Sequence, residues 1–138
     1  IRAAIFPPSA IEYSTGQDDF CMKIALEATS YLLRKNPSWF VFLDGRPFSR
    51  TYQIDEVLEA AKIISQDWRI LECTCSEETA RRRLQQQAAS REHPATNRTF
   101  ELYLRVKALF EEITLPKFVI DTDQPLEVCV YRSLEFLA

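Results

Sequence analysis

The residues best suited to chemistry are an aspartate and two arginines that follow the most apolar run of the sequence. Residues 39–43 are all large and apolar, Asp44 follows them, and Arg46 and Arg50 come next. A short apolar run ended by a turn signal is typical of a strand buried on both faces. Ligands of open α/β sheets bind just beyond the carboxyl ends of strands, where Asp44 would hold a metal ion and the arginines phosphate. The alternative is an Asp-Gly turn with solvated arginines.

A second group of arginines occurs later in the chain. Arg81, Arg82 and Arg83 are adjacent, and Arg91 and Arg98 bracket a polar stretch. Phosphoryl transfer needs an acid that positions Mg²⁺ and several cations that offset the charge on the moving phosphoryl group. An arginine-bearing flap over this stretch would also exclude water. Adjacent helical arginines point in different directions, however, so some of them would instead be solvated or paired with nearby glutamates.

A third polar group comes directly after the last short apolar run, at residues 117–120. Its members are Asp121, Thr122, Asp123, Gln124 and Pro125. The loops after successive parallel strands converge on one edge of a sheet, so this group is expected to face the same ligand as the other two groups. Asp121 also suits a purely structural role, as the cap of a turn into the final helix.

Helices and strands in alternation must position these groups. Apolar spacing and capping residues predict helices over residues 19–34, 53–65, 76–89, 99–112 and 125–137, and short apolar runs predict strands over 39–44, 68–73 and 117–121. The final helix is expected to turn Leu126, Val130, Leu134 and Leu137 inward. Strands that alternate with helices form a parallel sheet with right-handed crossovers, so the predicted fold class is α/β.

Composition and charge narrow the class of protein. The 138 residues, 46% hydrophobic and 27% charged, suit one globular domain over 1–138. A net charge of -3 offers no basic excess for nucleic-acid phosphates. No apolar run approaches the ~20 residues that cross a bilayer, and no signal-peptide pattern is present. The charge and the lack of a spanning run lead us to expect no nucleic-acid partner and no membrane partner. The cysteines lack a zinc spacing, so we expect them to be buried free thiols in a cytoplasmic protein.

The sequence lacks the glycines that a complete nucleotide-binding domain normally uses. Gly16 and Gly45 are its only glycines, and neither belongs to a glycine-rich phosphate loop. The chain also opens on Ile1, without an initiator methionine. Both facts predict that it is a fragment of a longer polypeptide.

Four pieces of the chain, taken in order, resemble the small P-loop kinases of the zeta-toxin-like, AAA-domain group. The pieces are residues 40–50, 69–84, 101–111 and 119–127. They look like the family's strand with its metal-ordering acid, its next strand and lid helix, its post-lid helix, and its last strand and turn. The resemblance covers residues 1–137 and implies a three-layer α/β/α parallel sheet of the P-loop NTPase (nucleotide kinase-like) type, incomplete here. The lid region would span residues 84–99.

The resemblance also implies which residues would act on the phosphates. Asp44 would order Mg²⁺ through a water molecule, and Arg83 and Arg91 would be the lid cations. The family often carries a further arginine where this chain has Gln87. That departure leaves the choice of lid arginine open.

Other residues are expected to bind the two substrates. Arg2 falls at a position that the resemblance assigns to the acceptor, and we expect Arg46 and Arg50 to bind substrate with it. The nucleotide is expected to contact residues of the lid and of the last turn, which are Arg98, Asp121, Thr122, Gln124 and Pro125.

The resemblance implies an ATP-dependent kinase that uses Mg²⁺ to move the γ-phosphate to a hydroxyl of a small-molecule acceptor. The Walker A loop and the catalytic aspartate would precede Ile1, so the 138-residue chain is expected to be inactive by itself. Its partners would be ATP, the acceptor and the upstream remainder of the polypeptide. The missing strand would lie between those predicted at 39–44 and 68–73. The alternative is a non-catalytic α/β interaction or nucleotide-sensing domain that lacks the P-loop.

Overall fold

The computed structural model describes residues 1–90 and 98–138, which divide into two units, Ile1–Trp68 and Arg69–Ala138. The first contains α1 (Arg2–Ile5), a 3-10 turn (Pro8–Ala10), α2 (Thr15–Lys35) and α3 (Thr51–Ile63). The second contains β1 (Leu71–Thr74), α4 (Glu77–Ser90), α5 (Phe100–Lys107), β2 (Phe118–Asp121) and α6 (Leu126–Leu137). The described chain is therefore mixed α/β and mostly helical. Within it, no helix combines the length and apolar character needed to cross a membrane.

Helices α2 and α3 begin earlier than their apolar spacing predicts. Ser14 caps α2, because its Oγ accepts a hydrogen bond from the N–H of Gln17 at 3.3 Å. At the start of α3, Oε1 of Gln53 accepts one from the N–H of Arg50 at 3.2 Å. The polar caps bind free backbone groups at residues that precede the first apolar positions of each helix. The apolar spacing by itself therefore predicts both helix starts too late in the chain.

The strand predicted over residues 39–44 does not form within the described chain. These residues form no β-ladder with any part of the described chain, and Phe40 and Phe42 are 70% and 68% exposed instead of buried. A strand needs a neighbouring strand to take up its backbone hydrogen bonds, and the other described elements of this unit are helices. Asp44 consequently lies exposed in the connection between α2 and α3, not at the end of a sheet strand.

The two strands of the second unit pair in parallel, as predicted. Leu71 faces Phe118 and Thr74 faces Asp121 across the ladder. Beyond the last pair, the N–H of Thr122 donates to the carbonyl of Thr74 at 2.8 Å. Helices α4 and α5 lie between the strands in sequence, as a parallel connection requires. The carboxyl ends of both strands therefore meet at one edge.

Helix α6 packs on β2 with a different face from the one predicted. Phe136 stacks on Phe118 of the strand, with ring centroids 5.1 Å apart. Of the four residues predicted to face inward, Leu126, Val130 and Leu134 are 73%, 48% and 60% exposed, and Leu137 is partly buried. The aromatic contact with β2 thus outweighs the leucine stripe in setting the rotation of the helix, and one apolar face of α6 stays open.

The cysteines are free thiols, as predicted, but they are not buried. Cys73 is exposed, and Cys21, Cys75 and Cys129 are partly exposed. Cys73 and Thr74, which end β1, are exposed, whereas Leu71 and Glu72, which begin it, are half-buried. The exposure of Cys73 therefore belongs to the carboxyl end of the strand.

Candidate functional site

The carboxyl edge of the two-stranded sheet brings two predicted site residues into contact. Arg83 of α4 donates from Nη1 to Oγ1 of Thr122 at 2.9 Å and from Nη2 to the Thr122 carbonyl at 2.6 Å. The Thr122 hydroxyl in turn donates to the Thr74 carbonyl at 2.8 Å. The predicted lid helix and the turn after the last strand are therefore joined directly. Ser76, Arg83, Thr122 and Asp123 are called the rim cluster below.

Asp123 holds the negative charge of the rim cluster. Its Oδ2 accepts a hydrogen bond from the N–H of Ser76 at 3.0 Å. Hydrogen bonds from Ser76 first, and then from Thr79, lower the pKa of this carboxyl, and the charge of Arg83 acts in the same direction. Ser76 Oγ accepts from the Thr79 N–H at 3.2 Å, so the cap predicted for α4 is present. The cluster thus places an ionised carboxylate at the start of α4 and holds the Arg83 guanidinium on the neighbouring Thr122.

The remaining residues of the last turn shape it. Asp121 Oδ1 accepts from the N–H of Asp123 at 3.0 Å, and the Asp121 carbonyl accepts from the N–H of Gln124 at 3.3 Å. This is the structural role that the sequence left open for Asp121. Gln124 lines a shallow hollow with Cys129, and Pro125 is the residue before the first turn of α6.

The three adjacent arginines of α4 point in different directions. The guanidinium of Arg81 lies over the ring of Phe100, 3.8 Å from its centroid. Arg82 Nη2 donates to Oγ1 of Thr79 on its own helix at 3.4 Å. Arg83, in contrast, contacts the turn after β2.

The arginines that bracket the predicted lid have different fates. Arg98 Nη1 donates to Oε1 of Gln87 at 3.0 Å, which ties the segment before α5 to the end of α4. Gln87 is the position where the resembling kinases often carry a second arginine, so here a neutral side chain occupies it. Arg91 lies outside the described residues, and its predicted role stays a prediction.

In the first unit, Arg46 is held by an acid of α2. Its Nη1 lies 2.6 Å from Oδ1 of Asp19, and its side chain is 5% exposed. Burial lowers the pKa of Arg46, but the hydrogen bond and the charge of Asp19, with a smaller contribution from Tyr52, outweigh burial and raise it. Asp44, two residues earlier, is exposed. The predicted metal-ordering acid and the predicted substrate arginine thus have opposite environments.

Arg2 is also paired within this unit. Its guanidinium bonds the carboxylate of Asp18 and the Glu12 carbonyl, and it donates to Oε1 of Gln17 at 3.1 Å. Arg50, the third arginine assigned to substrate, is partly buried at the residue before α3. The first turns of α2 therefore anchor the amino-terminal segment of the unit.

The arrangement of acidic side chains bears on whether the described chain could hold Mg²⁺. Within residues 1–90 and 98–138, no group of three His, Cys, Asp or Glu side chains could hold a metal ion. Mg²⁺ at phosphate sites is often held by one or two carboxylates, with substrate oxygens and water as the other ligands. A single exposed Asp44 fits that mode of binding only together with a nucleotide.

The partners of two site residues had no signal in the sequence. Asp19 begins the helix predicted over residues 19–34, yet it binds Arg46 from 27 positions away. Asp123 was grouped with the last turn, and its partner Ser76 lies 47 positions earlier. Neither pairing follows a helical or strand period, so only the tertiary fold reveals it.

Comparisons with family models, with curated proteins and with solved structures each found no match for this chain. The interpretation of its function therefore depends on the residues themselves and on the contacts described above.

Proposed function

We propose that this chain is the carboxyl-terminal part of an ATP-dependent kinase that phosphorylates a hydroxyl of a small molecule with the help of Mg²⁺. In this proposal the 138-residue chain has no transferase activity by itself, and the upstream part of the polypeptide supplies the phosphate-binding loop. The fold of the whole domain would be the three-layer P-loop type that the sequence resembles.

The observation that carries the proposal is the contact between Arg83 and Thr122. Ligands of parallel α/β sheets bind beyond the carboxyl ends of the strands, and this contact lies there. It joins a cation of the predicted lid helix to the turn that the resemblance assigns to the nucleotide. Capping by Ser76 also places the amino terminus of α4, with its partial positive charge, at the same edge.

The proposed division of labour follows from charge. Mg²⁺ bound beside Asp44 would offset negative charge on the phosphate oxygens. Arg83 and Arg91 would offset the charge on the transferred group from the lid. Arg98 would fix the end of α4 through Gln87, where it already donates a hydrogen bond.

The exposed apolar run at residues 39–43 supports a missing neighbouring strand. Exposure alternates over its last four residues, because Phe40 and Phe42 are exposed while Val41 and Leu43 are partly buried; Trp39, which begins the run, is exposed as well. Alternation of this kind is the pattern of a strand. We propose that residues upstream of Ile1 supply the strand that pairs with this run and the helix that covers its aromatic side.

The first experiment measures ATP binding by calorimetry with Mg²⁺ present. The 138-residue chain is compared with a polypeptide extended upstream by about 40 residues, enough for a strand–loop–helix unit. Binding by the extended polypeptide alone is the expected result. Binding by neither would reject the kinase proposal and favour an interaction domain, and binding by the short chain alone would reject the proposed upstream loop.

The second experiment tests Asp44 in the extended polypeptide. Asp44→Asn should lower Mg²⁺-dependent turnover by about 100-fold or more without changing the fold, because Asp44 is exposed and packs against nothing that the substitution disturbs. Asp55→Asn, which changes an exposed acid of α3, is the matched control and should retain full turnover. Equal turnover of the two variants would remove Asp44 from the site.

A second candidate function is a non-catalytic interaction domain. The open apolar face of α6, formed by Leu126, Val130 and Leu134, favours it, because exposed helical stripes of this kind are typical of protein-binding surfaces. This candidate predicts no ATP binding by either polypeptide. It also predicts that Leu126→Ser together with Leu134→Ser abolishes self-association or partner binding without changing the helix content measured by circular dichroism.

A further inference from the structure

One carboxylate connects three segments of the first unit. Asp19 lies near the start of α2, and its Oδ1 receives Arg46 Nη1 at 2.6 Å. The hydroxyl of Tyr52, on α3, lies 3.2 Å from both Oδ1 and Oδ2 of Asp19 and donates to that carboxylate. Gln53 Nε2 donates to the same hydroxyl at 3.3 Å. Asp19, Arg46 and Tyr52 are called the Asp19 clamp below. It fastens the connection after residue 43 to two helices at once.

Burial excludes Arg46 from direct contact with a ligand. Its side chain is 5% exposed, and its Nε is buried without a hydrogen-bond partner in the described chain. Its charge is already compensated by Asp19, which is 35% exposed and thus the more accessible member of the pair. An arginine in this environment holds its own segment in place and has no free donor at the surface to offer to an incoming phosphate.

We infer that Asp19 is a positioning residue, which acts through Arg46 to fix the loop that presents Asp44. Asp44 lies two residues before Arg46, so its Cα is at most about 7 Å from the Cα of Arg46. Anchoring Arg46 therefore limits the distance over which Asp44 can move. The inference rests on the proposed function only for the role of Asp44, since the clamp itself is a matter of geometry.

The neighbouring acid provides a matched control. Asp18 precedes Asp19 in α2 and is a similarly accessible carboxylate, 31% exposed against 35%. It binds Arg2, whereas Arg46 and Tyr52 bind Asp19. Replacing either acid with asparagine removes one charge from the same helical turn, so a difference between the two variants reports the partner and not the loss of charge in α2.

The test measures backbone order in solution on the 138-residue chain. In Asp19→Asn, the amide order parameters of Gly45 and Arg46 should fall from about 0.85, typical of rigid backbone, to below about 0.6. Asp18→Asn should leave both amides ordered. Tyr52→Phe, which removes a hydroxyl and keeps the ring, should give an intermediate loss and covers the case in which Asp19→Asn does not fold. Unchanged order in both Asp19→Asn and Tyr52→Phe, or equal loss in Asp18→Asn, would overturn the inference.

A second measurement separates this inference from the proposed kinase activity. In the extended polypeptide, Asp19→Asn should raise the Mg²⁺ concentration for half-maximal turnover by about tenfold and leave the KM of the acceptor unchanged. A purely structural defect would lower the amount of active protein and leave the Mg²⁺ requirement as it was, which would also overturn the inference. Complete absence of turnover in the wild-type extended polypeptide would reject the proposed function, while the order parameters would still decide whether the clamp exists.

Discussion

The contact between Arg83 and Thr122 can be measured with a double-mutant cycle. Arg83→Met removes both of its hydrogen bonds to Thr122 and keeps a long side chain. Of the two bonds from Arg83, Thr122→Val removes only the Nη1–Oγ1 bond, because the main-chain carbonyl still accepts from Nη2. The variant also removes the hydrogen bond that the Thr122 hydroxyl donates to the Thr74 carbonyl. The two variants therefore share one hydrogen bond, and that bond alone should appear as a coupling energy.

The magnitudes follow from exposure. Hydrogen bonds to charged groups contribute about 1.5–3 kcal/mol. Arg83 is exposed, so screening by solvent reduces each bond to about 1 kcal/mol, the upper end for exposed charged pairs. Arg83→Met should then lower the free energy of unfolding by about 2 kcal/mol, and Thr122→Val by about 1.5 kcal/mol, since Thr74 keeps its bond from the Thr122 N–H. The shared bond predicts a coupling energy of about 1 kcal/mol.

The assay is urea denaturation followed by circular dichroism at fixed ionic strength. Arg82→Met is the matched control, because Arg82 is adjacent on α4 but donates to Thr79 of its own helix. Its effect should add to that of Thr122→Val without coupling. A coupling energy for Arg83 and Thr122 that is no larger than the value for this control pair would refute the contact and remove the observation that carries the proposed function.

Two further predictions concern the second unit. Ile120→Ala should lower the free energy of unfolding by about 2–3 kcal/mol, because Ile120 is 7% exposed. Val119→Ala, at the preceding residue with 46% exposure, should cost well under about 1 kcal/mol in the same denaturation assay. Equal losses would contradict the assignment of Ile120 to the buried face of β2. Hydrogen bonds from Ser76 and Thr79 lower the pKa of Asp123 in the folded state. The carboxylate therefore stabilises the fold at pH values above the ordinary aspartate pKa of about 3.9. This contribution is lost as the pH falls below that value toward the folded-state pKa. Unfolding measured across this acid range should show a component that Asp123→Asn removes, and an identical pH profile for that variant would be evidence against the bonds.

The helices were predictable because their signals are local. Apolar residues three and four apart, and caps such as Ser76, lie within one or two turns of what they specify. The predicted cap of α4 is confirmed, and the strands predicted over 68–73 and 117–121 form a parallel pair over the narrower bounds 71–74 and 118–121. Helix ends were less predictable, since polar caps outside the apolar stripe set the starts of α2 and α3.

The strand over residues 39–44 shows where local signals fail. Its composition is that of a buried strand, and composition is all that the sequence provides. Strand formation also needs a partner that supplies the facing hydrogen bonds, and the partner is not specified by the strand itself. The rotation of α6 is a related case, because the stacking of Phe136 on Phe118 decided which of its apolar faces is covered.

The sequence by itself determined the helical segments, the parallel pairing of two strands, and the set of charged residues available for chemistry. The tertiary structure alone decided which partners those charged residues bind. Arg46 forms an ion pair with Asp19, and Arg83 donates hydrogen bonds to Thr122, over separations of 27 and 39 positions. The physical reason is that an ion pair or a hydrogen bond depends on distance in space, and no helical or strand period relates residues so far apart in the chain.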